Sequence, residues 1–234
     1  MIRSASRTRC VVVFARTPVL EARAKRMPAA ARLFACARAR VLGAAAASGA
    51  DVLVCSPGAA GSPSRATILS QRGRTFAERL RNAFADTRNL GYREIVVVPG
   101  DVPGLQARYV RAAFRRLRAC STVLGPSPDG GVYLLGIRGD FEPVLAGVPW
   151  CTRLVFARLR ANAGDAAVLS PVADVDTHRH VRALRADPAL DAELAELVAV
   201  LLARAAAPAP LSPASPADPH RSPFASRPPP LLAA

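Results

Sequence analysis

Ile95-Val96-Val97-Val98-Pro99-Gly100-Asp101-Val102-Pro103 is a run of four β-branched residues that stops at prolines, a glycine and an acid. A short continuous apolar run closed by turn formers reads as a strand buried on both faces, as in a parallel sheet covered by helices. Gly100 allows close backbone approach, and the prolines fix the turn. Asp101 then projects from the carboxyl end of the strand. Ligands of open α/β sheets bind at that end, and a carboxylate there suits a hard cation. The competing reading is an ordinary strand-to-helix turn in which Asp101 bonds to local N–H groups.

The same alternation extends in both directions. Cys10–Ala15 reads as a first buried strand, followed by a long loop over 16–27. Pro28 opens an Ala-rich helix that Gly49 stops after Ser48. Strands follow at 51–55 and 66–70, separated by a Gly/Pro/Ser loop. Thr75 caps a helix with Phe76, Leu80, Ala83 and Phe84 on one face. Residues 94–99 form the most apolar strand, expected at the centre of the sheet. A basic amphipathic helix is expected at 105–118, and strands at 122–124 and 132–137 flank Asp129-Gly130-Gly131. Thr152 caps a helix to about Ala161, and a last short strand precedes Asp174. Asp187-Pro188 starts a final helix whose stripe is Leu190, Leu194, Leu197, Val198 and Leu201. Strand–helix alternation of this kind predicts an α/β fold with a mostly parallel mixed sheet between helices. One domain is expected over 10–205, with a basic leader at 1–9. The Ala/Pro/Ser-rich segment 206–234 reads as a disordered tail.

Composition narrows the function. A hydrophobic fraction of 51% excludes disorder throughout. The formal charge of +15 would suit nucleic acid, an acidic surface or phosphorylated ligands. Aromatics are only 5% and the arginines are scattered, which argues against nucleic acid. Among 32 basic residues Lys25 is the only lysine, and it follows the first strand where a phosphate would be expected. Cys10, Cys36, Cys55, Cys120 and Cys151 form no C-x-x-C pair, so neither a zinc site nor a disulfide framework is expected. No stretch reads as a membrane span or a signal peptide, and a cytoplasmic protein is the expectation.

Asp174-Val175-Asp176 alternates, so its two carboxylates share one face of an extended segment. Like charges there repel unless a metal or a basic group lies between them. The competing reading is that Asp176 or Thr177 caps the helix that starts near His178. Asp129-Gly130-Gly131 is either an anion cradle or a tight hairpin turn. Glu78-Arg79 alone reads as a solvated pair. His178 and His180 read as surface residues, and Cys151 as a helix start rather than a nucleophile.

Taken together these segments resemble a bacterial glycosyltransferase-A-like family, named for its association with radical-SAM and selenoprotein genes as a type 1 transferase. That family falls in the nucleotide-diphospho-sugar transferase superfamily. Phe14-Ala15-Arg16-Thr17-Pro18 resembles its opening F-x-K/R-x-P, and Gln71 through Arg79 its Q-G-x-G-x-L-G-E-R segment. Gly100–Leu105, Leu124–Gly136, Val148-Pro149-Trp150 and Asp174-Val175-Asp176-Thr177 resemble the remaining signatures. The chain departs from the pattern at Glu21 (usually Gly), at Ala24 (usually Lys, here displaced to Lys25), at Arg72 and at Cys151 (usually Ser). Arg26 still matches.

The resemblance implies a Rossmann-like three-layer α/β/α sandwich and a metal-dependent transferase acting on a nucleotide or nucleotide sugar, by glycosyl or nucleotidyl transfer. Phe14, Ala15 and Arg16 would contact base and ribose, with Gln71 and Arg79 also at the nucleotide. Lys25 and Arg26 would neutralise phosphates. Asp101 and Asp176 would hold Mg²⁺ or Mn²⁺ and carry the catalysis, while Asp129, Gly130 and Gly131 would shape the side facing an unknown acceptor. The rival expectations are a family member that binds nucleotide without turnover, and a basic protein that binds nucleic acid.

Overall fold

Strand β1 (Arg9–Phe14) is buried from Cys10 to Phe14. It pairs in parallel with β2 (Asp51–Ser56) on one side and with β4 (Glu94–Pro99) on the other. A computed structural model describes residues 8–57, 67–185 and 191–206, and the leader and tail of the sequence reading fall largely outside them. β3 (Thr67–Ser70) joins the outer side of β2 in parallel. Beyond β4 lies β6 (Val132–Arg138), antiparallel both to β4 and to β5 (Thr122–Pro126). β7 (Ala166–Val168) completes the edge, parallel to β5. The seven strands run β3-β2-β1-β4-β6-β5-β7, so β4 is central and only β6 opposes its neighbours.

The even positions of β1 (Cys10, Val12, Phe14) face a core built with α3 (Phe76–Asn89), α5 (Glu142–Leu145) and α6 (Val155–Ala163). Its odd positions (Val11, Val13), and Ala15 just beyond the strand, face α2 (Ala31–Ala46) and α4 (Ala107–Leu117). Both faces of the sheet are covered, which is why β1 and β4 read as uninterrupted apolar runs. The fold is thus a three-layer α/β/α sandwich with a mostly parallel mixed sheet.

Three local expectations change. The 16–27 segment is not a loop throughout: Pro18–Ala24 is a helix, α1, whose N-cap Thr17 accepts from the Leu20 N–H at 3.4 Å. Only Ala22 of α1 is buried, so the helix has no apolar stripe to betray it. Pro28 opens a 3-10 turn, Pro28–Ala30, and α2 begins after it. The last short strand expected before Asp174 is present as β7, but it stops at Val168, and residues 169–177 run on without strand pairing. They are tied to the sheet by Val172 N–H to Pro126 C=O (3.2 Å) and Val175 N–H to Asp101 C=O (3.0 Å).

After that segment come α7 (His178–Leu184) and α8 (Ala192–Ala206). Asp187-Pro188 and Leu190 lie outside the described residues. Leu194, Val198 and Leu201 of the expected stripe are buried, in a third cluster that joins α1, α2, α7 and α8 around Val175. Among the described residues no helix is long and apolar enough to cross a membrane.

α3 carries pocket residues and is anchored by a capping box: Thr75 accepts from the Glu78 N–H, and the Glu78 carboxylate accepts from the Thr75 N–H. Thr75→Ala should cost about 1 kcal/mol, a fall of roughly 2–4 °C in melting temperature for a domain of this size. An unchanged melting curve would show that packing alone holds the helix start.

Candidate functional site

The chain passes from β1 to β2 and β3 on one side, then returns to place β4 on the other side of β1. Strand order therefore reverses between β1 and β4, and a crevice opens at their carboxyl ends. Phe14 is in register with Pro99, so the segments Ala15-Arg16 and Gly100-Asp101 leave the sheet side by side. A Cβ on Gly100 would stand 2.6 Å from the Ala15 Cβ, so only glycine permits this approach. The cavity above measures about 660 Å³, within the range of small-molecule sites.

One end of the cavity is acidic. Val175 is buried in the third core cluster, so the alternating backbone turns Asp174 and Asp176 the other way, into the cavity. Lys25, at the C-cap of α1, binds Asp101 Oδ2. It also bonds to Asp176 Oδ1 at 2.7 Å and to the Val175 carbonyl at 2.6 Å, and it lies 3.6 Å from Glu21 Oε1. The like-charge repulsion expected between strand-end acids is met by a basic group of the chain itself. Burial alone would lower the Lys25 pKa, but Asp101 and Asp176 together hold the ammonium above its ordinary range.

One ammonium does not satisfy this end. Asp101 Oδ1 is buried and has no hydrogen-bond partner among the described residues. Asp174 is pushed up to about 7, first by burial and then by the charges of Asp176, Asp101 and Asp129, with only Lys25 opposing. Asp174, Asp176 and His180 offer donor atoms within 4.8 Å of one another. Surplus carboxylate oxygen, one of it unpaired, fits a hard divalent cation. His180 contributes less directly: its Nδ1 accepts from the Asp176 N–H at 3.1 Å. A neutral imidazole in that arrangement carries its proton on Nε2 and offers the cavity an N–H rather than a lone pair.

The rest of the cavity is aromatic and cationic. Phe14, Phe76 and Trp150 form one wall, with centroids 5.6 Å apart for the first pair and 5.3 Å for the second. Arg16, Arg38, Arg79 and Arg153 also line it. Arg16 is tied to Glu21 at 3.4 Å. Arg38, half-buried on α2, has no hydrogen bond or ion pair among the described residues, and desolvation lowers its pKa.

Of the residues singled out in the sequence, Phe14, Ala15, Arg16, Lys25, Gln71, Arg79, Asp101, Asp129, Gly131 and Asp176 line this one cavity. Arg26 does not; it is exposed, with φ +56°. Gly130 lies behind the lining, where a Cβ would meet the Arg153 carbonyl at 2.1 Å. Asp129 accepts from the Gly131 N–H at 2.9 Å, closing the hairpin turn between β5 and β6. Thr177, not Asp176, caps α7 by accepting from the His180 N–H. His180 is therefore part of the site rather than a surface residue; its place three residues after a Thr cap was the available signal. Arg38 was missed too, although it stands one turn from Phe34 on the same helix face.

A family model described as "Uncharacterized protein conserved in bacteria (DUF2064)" matches residues 30–152. The chain belongs to that family. No protein of curated function matches it. Among solved structures it is similar to one from Desulfovibrio desulfuricans G20 that is assigned by name as a nucleotide-diphospho-sugar transferase. Identity is 23%, coverage is 84% of this chain and 97% of that one, and the TM-score is 0.71. It is also similar to Rv0371c from Mycobacterium tuberculosis H37Rv, at 18% identity and TM-score 0.55, over 77% of this chain and 98% of that one. A structure of Rv0371c in complex with manganese matches at 19% identity and TM-score 0.54, over 76% of this chain and 97% of that one. These likenesses establish a glycosyltransferase-A-like, Rossmann-like fold.

The raised pKa of Asp174 has a definite consequence for stability. Its carboxyl holds a proton to about 7 in the folded chain and to about 3.8 in an ordinary setting. Between those values the folded state binds more protons, so this group's contribution is present at low pH and is lost as pH rises through the window. In chelator-treated buffer, Asp174→Asn should gain stability relative to the parent as pH rises from about 4 to about 7. Parallel stability curves across that range would show that Asp174 ionises freely.

Proposed function

We propose that this protein is a metal-dependent transferase acting on a nucleotide or a nucleotide sugar. The observation that carries the reading is one cavity, at the switch point of the sheet, with surplus carboxylate at one end and, beside it, an arginine that has no partner among the described residues. A phosphate chain matches that polarity, since arginine pairs with phosphate oxygens and a cation held by carboxylates screens them. The names of the D. desulfuricans structure and the manganese complex of Rv0371c support the reading. Placement in the type 1 radical-SAM-associated group is part of this proposal, carried by the six motifs in order.

Asp101, Asp174 and Asp176 would hold Mg²⁺ or Mn²⁺, with His180 joining if it gives up its bond to the Asp176 N–H. When bound, the cation stabilises charge developing on the leaving phosphate. Asp101 and Asp176 are the residues we assign to catalysis through that role. The aromatic wall of Phe14, Phe76 and Trp150 offers the base or ribose an apolar face, beside Ala15, Arg16, Gln71 and Arg79. Arg38 takes the phosphate contact that sequence reasoning gave to Arg26. Asp129 and Gly131, with Gly130 behind them, shape the part of the wall where an acceptor would enter.

The test is thermal denaturation with a panel of nucleoside triphosphates and nucleotide sugars, with and without Mn²⁺. One of them with Mn²⁺ should raise stability, by about 2.7 kcal/mol at a hundred times its Kd. Arg38→Ala should weaken that ligand by about 1.5–3 kcal/mol, the worth of a hydrogen bond to a charged group. No stabilisation by any nucleotide would overturn the reading; equal affinity in Arg38→Ala would remove Arg38 from it.

A further inference from the structure

Lys25 lies where two acid-bearing segments meet. Its ammonium bonds to Asp101 Oδ2, Asp176 Oδ1 and the Val175 carbonyl, so all three of its N–H groups have an acceptor. The side chain is nearly buried, and its Nζ also stands 5.3 Å over the Phe34 ring. It therefore occupies the space between Asp101 and Asp176, which is also the space a cation bridging those two acids would take.

The two cations are not equivalent there. Asp101 keeps a buried, unpaired oxygen while Lys25 is in place. An ammonium is a single charge that only donates hydrogen bonds. A divalent ion carries twice the charge and takes six or more oxygens. The lysine also has somewhere to go. Glu21 stands one turn back on α1, 3.6 Å from Nζ, and its other oxygen already holds Arg16 on the cavity wall. Four rotatable bonds let the ammonium swing toward that position without moving the backbone.

We propose that Lys25 is an internal counter-cation that a divalent metal displaces from Asp101 and Asp176, so that metal binding releases the ammonium toward Glu21 and the open cavity. The carboxylates then stay compensated in both states, and the charge of Lys25 is added to that of the cavity arginines only when the metal is present. The inference rests on the metal-dependent reading of the site. It differs from a lysine that stands permanently at the phosphate, and from a lysine that replaces the metal altogether.

Because Lys25 is the only lysine, an amine-acylating reagent labels it and the α-amine alone, and peptide mass spectrometry separates the two. The full-length protein is treated in chelator and then in Mn²⁺, while calorimetry measures Mn²⁺ affinity for the parent and for Lys25→Met. Lys25 should be protected in chelator and should react several-fold faster with saturating Mn²⁺, and Lys25→Met should bind Mn²⁺ several-fold more tightly. If the parent binds Mn²⁺ while Lys25 stays protected, or if Lys25 is already fully reactive in chelator, the displacement is overturned and the metal reading stands. If neither parent nor Lys25→Met binds Mn²⁺, both fall together.

Discussion

The ammonium of Lys25 lies between Asp101 and Asp176 and compensates two carboxylates that the fold brings together at the carboxyl end of the sheet. Val175 is buried among α1, α2, α7 and α8, and its N–H bonds to the Asp101 carbonyl. The third core cluster therefore pulls an acidic segment onto the end of β4 whatever the charges prefer. Asp174 and Asp176 flank the buried valine and must face Asp101. Uncompensated like charges in a half-buried place disfavour one another's ionised forms. The chain meets that cost with a lysine on the C-cap of α1, which belongs to the same cluster. Packing fixes where the acids stand, and the lysine makes the packing tolerable.

That arrangement leaves a gradient of charge along the cavity. At one end acids exceed the single ammonium, as the raised Asp174 pKa and the unpaired Asp101 oxygen show. Toward the wall, Arg38 lacks a partner among the described residues. A ligand that brings both a divalent cation and phosphate oxygens satisfies both ends at once. Neither end alone would decide the matter, since acidic clusters and surface arginines are common. Their juxtaposition at the sheet's switch point, beside an aromatic wall, is what the proposed nucleotide ligand rests on.

The strands were legible because burial on both faces removes any need for alternation, and runs such as Val11–Val13 and Ile95–Val98 can be little else. Thr75 and Thr177 were legible as caps from local chemistry. α1 was not, because a helix that buries only Ala22 shows no periodicity, and its one signal was Thr17-Pro18. The acids at 101 and 176 could be named from their place after apolar segments. Their partner could not, since Lys25 is 76 residues from Asp101 and only the fold brings the two together. Arg38 and His180 hide for a similar reason: each lies on a helix whose orientation only tertiary packing decides.

We propose the Asp101–Asp174–Asp176 end of the cavity as a cation site. The most direct measurement is an anomalous difference map from crystals of the full-length protein soaked in Mn²⁺ with a nucleotide. A peak within coordination distance of Asp176, and shared with Asp101 or Asp174, is the expected result. Full Mn²⁺ occupancy elsewhere, with this end still bridged by Lys25 alone, would contradict the account.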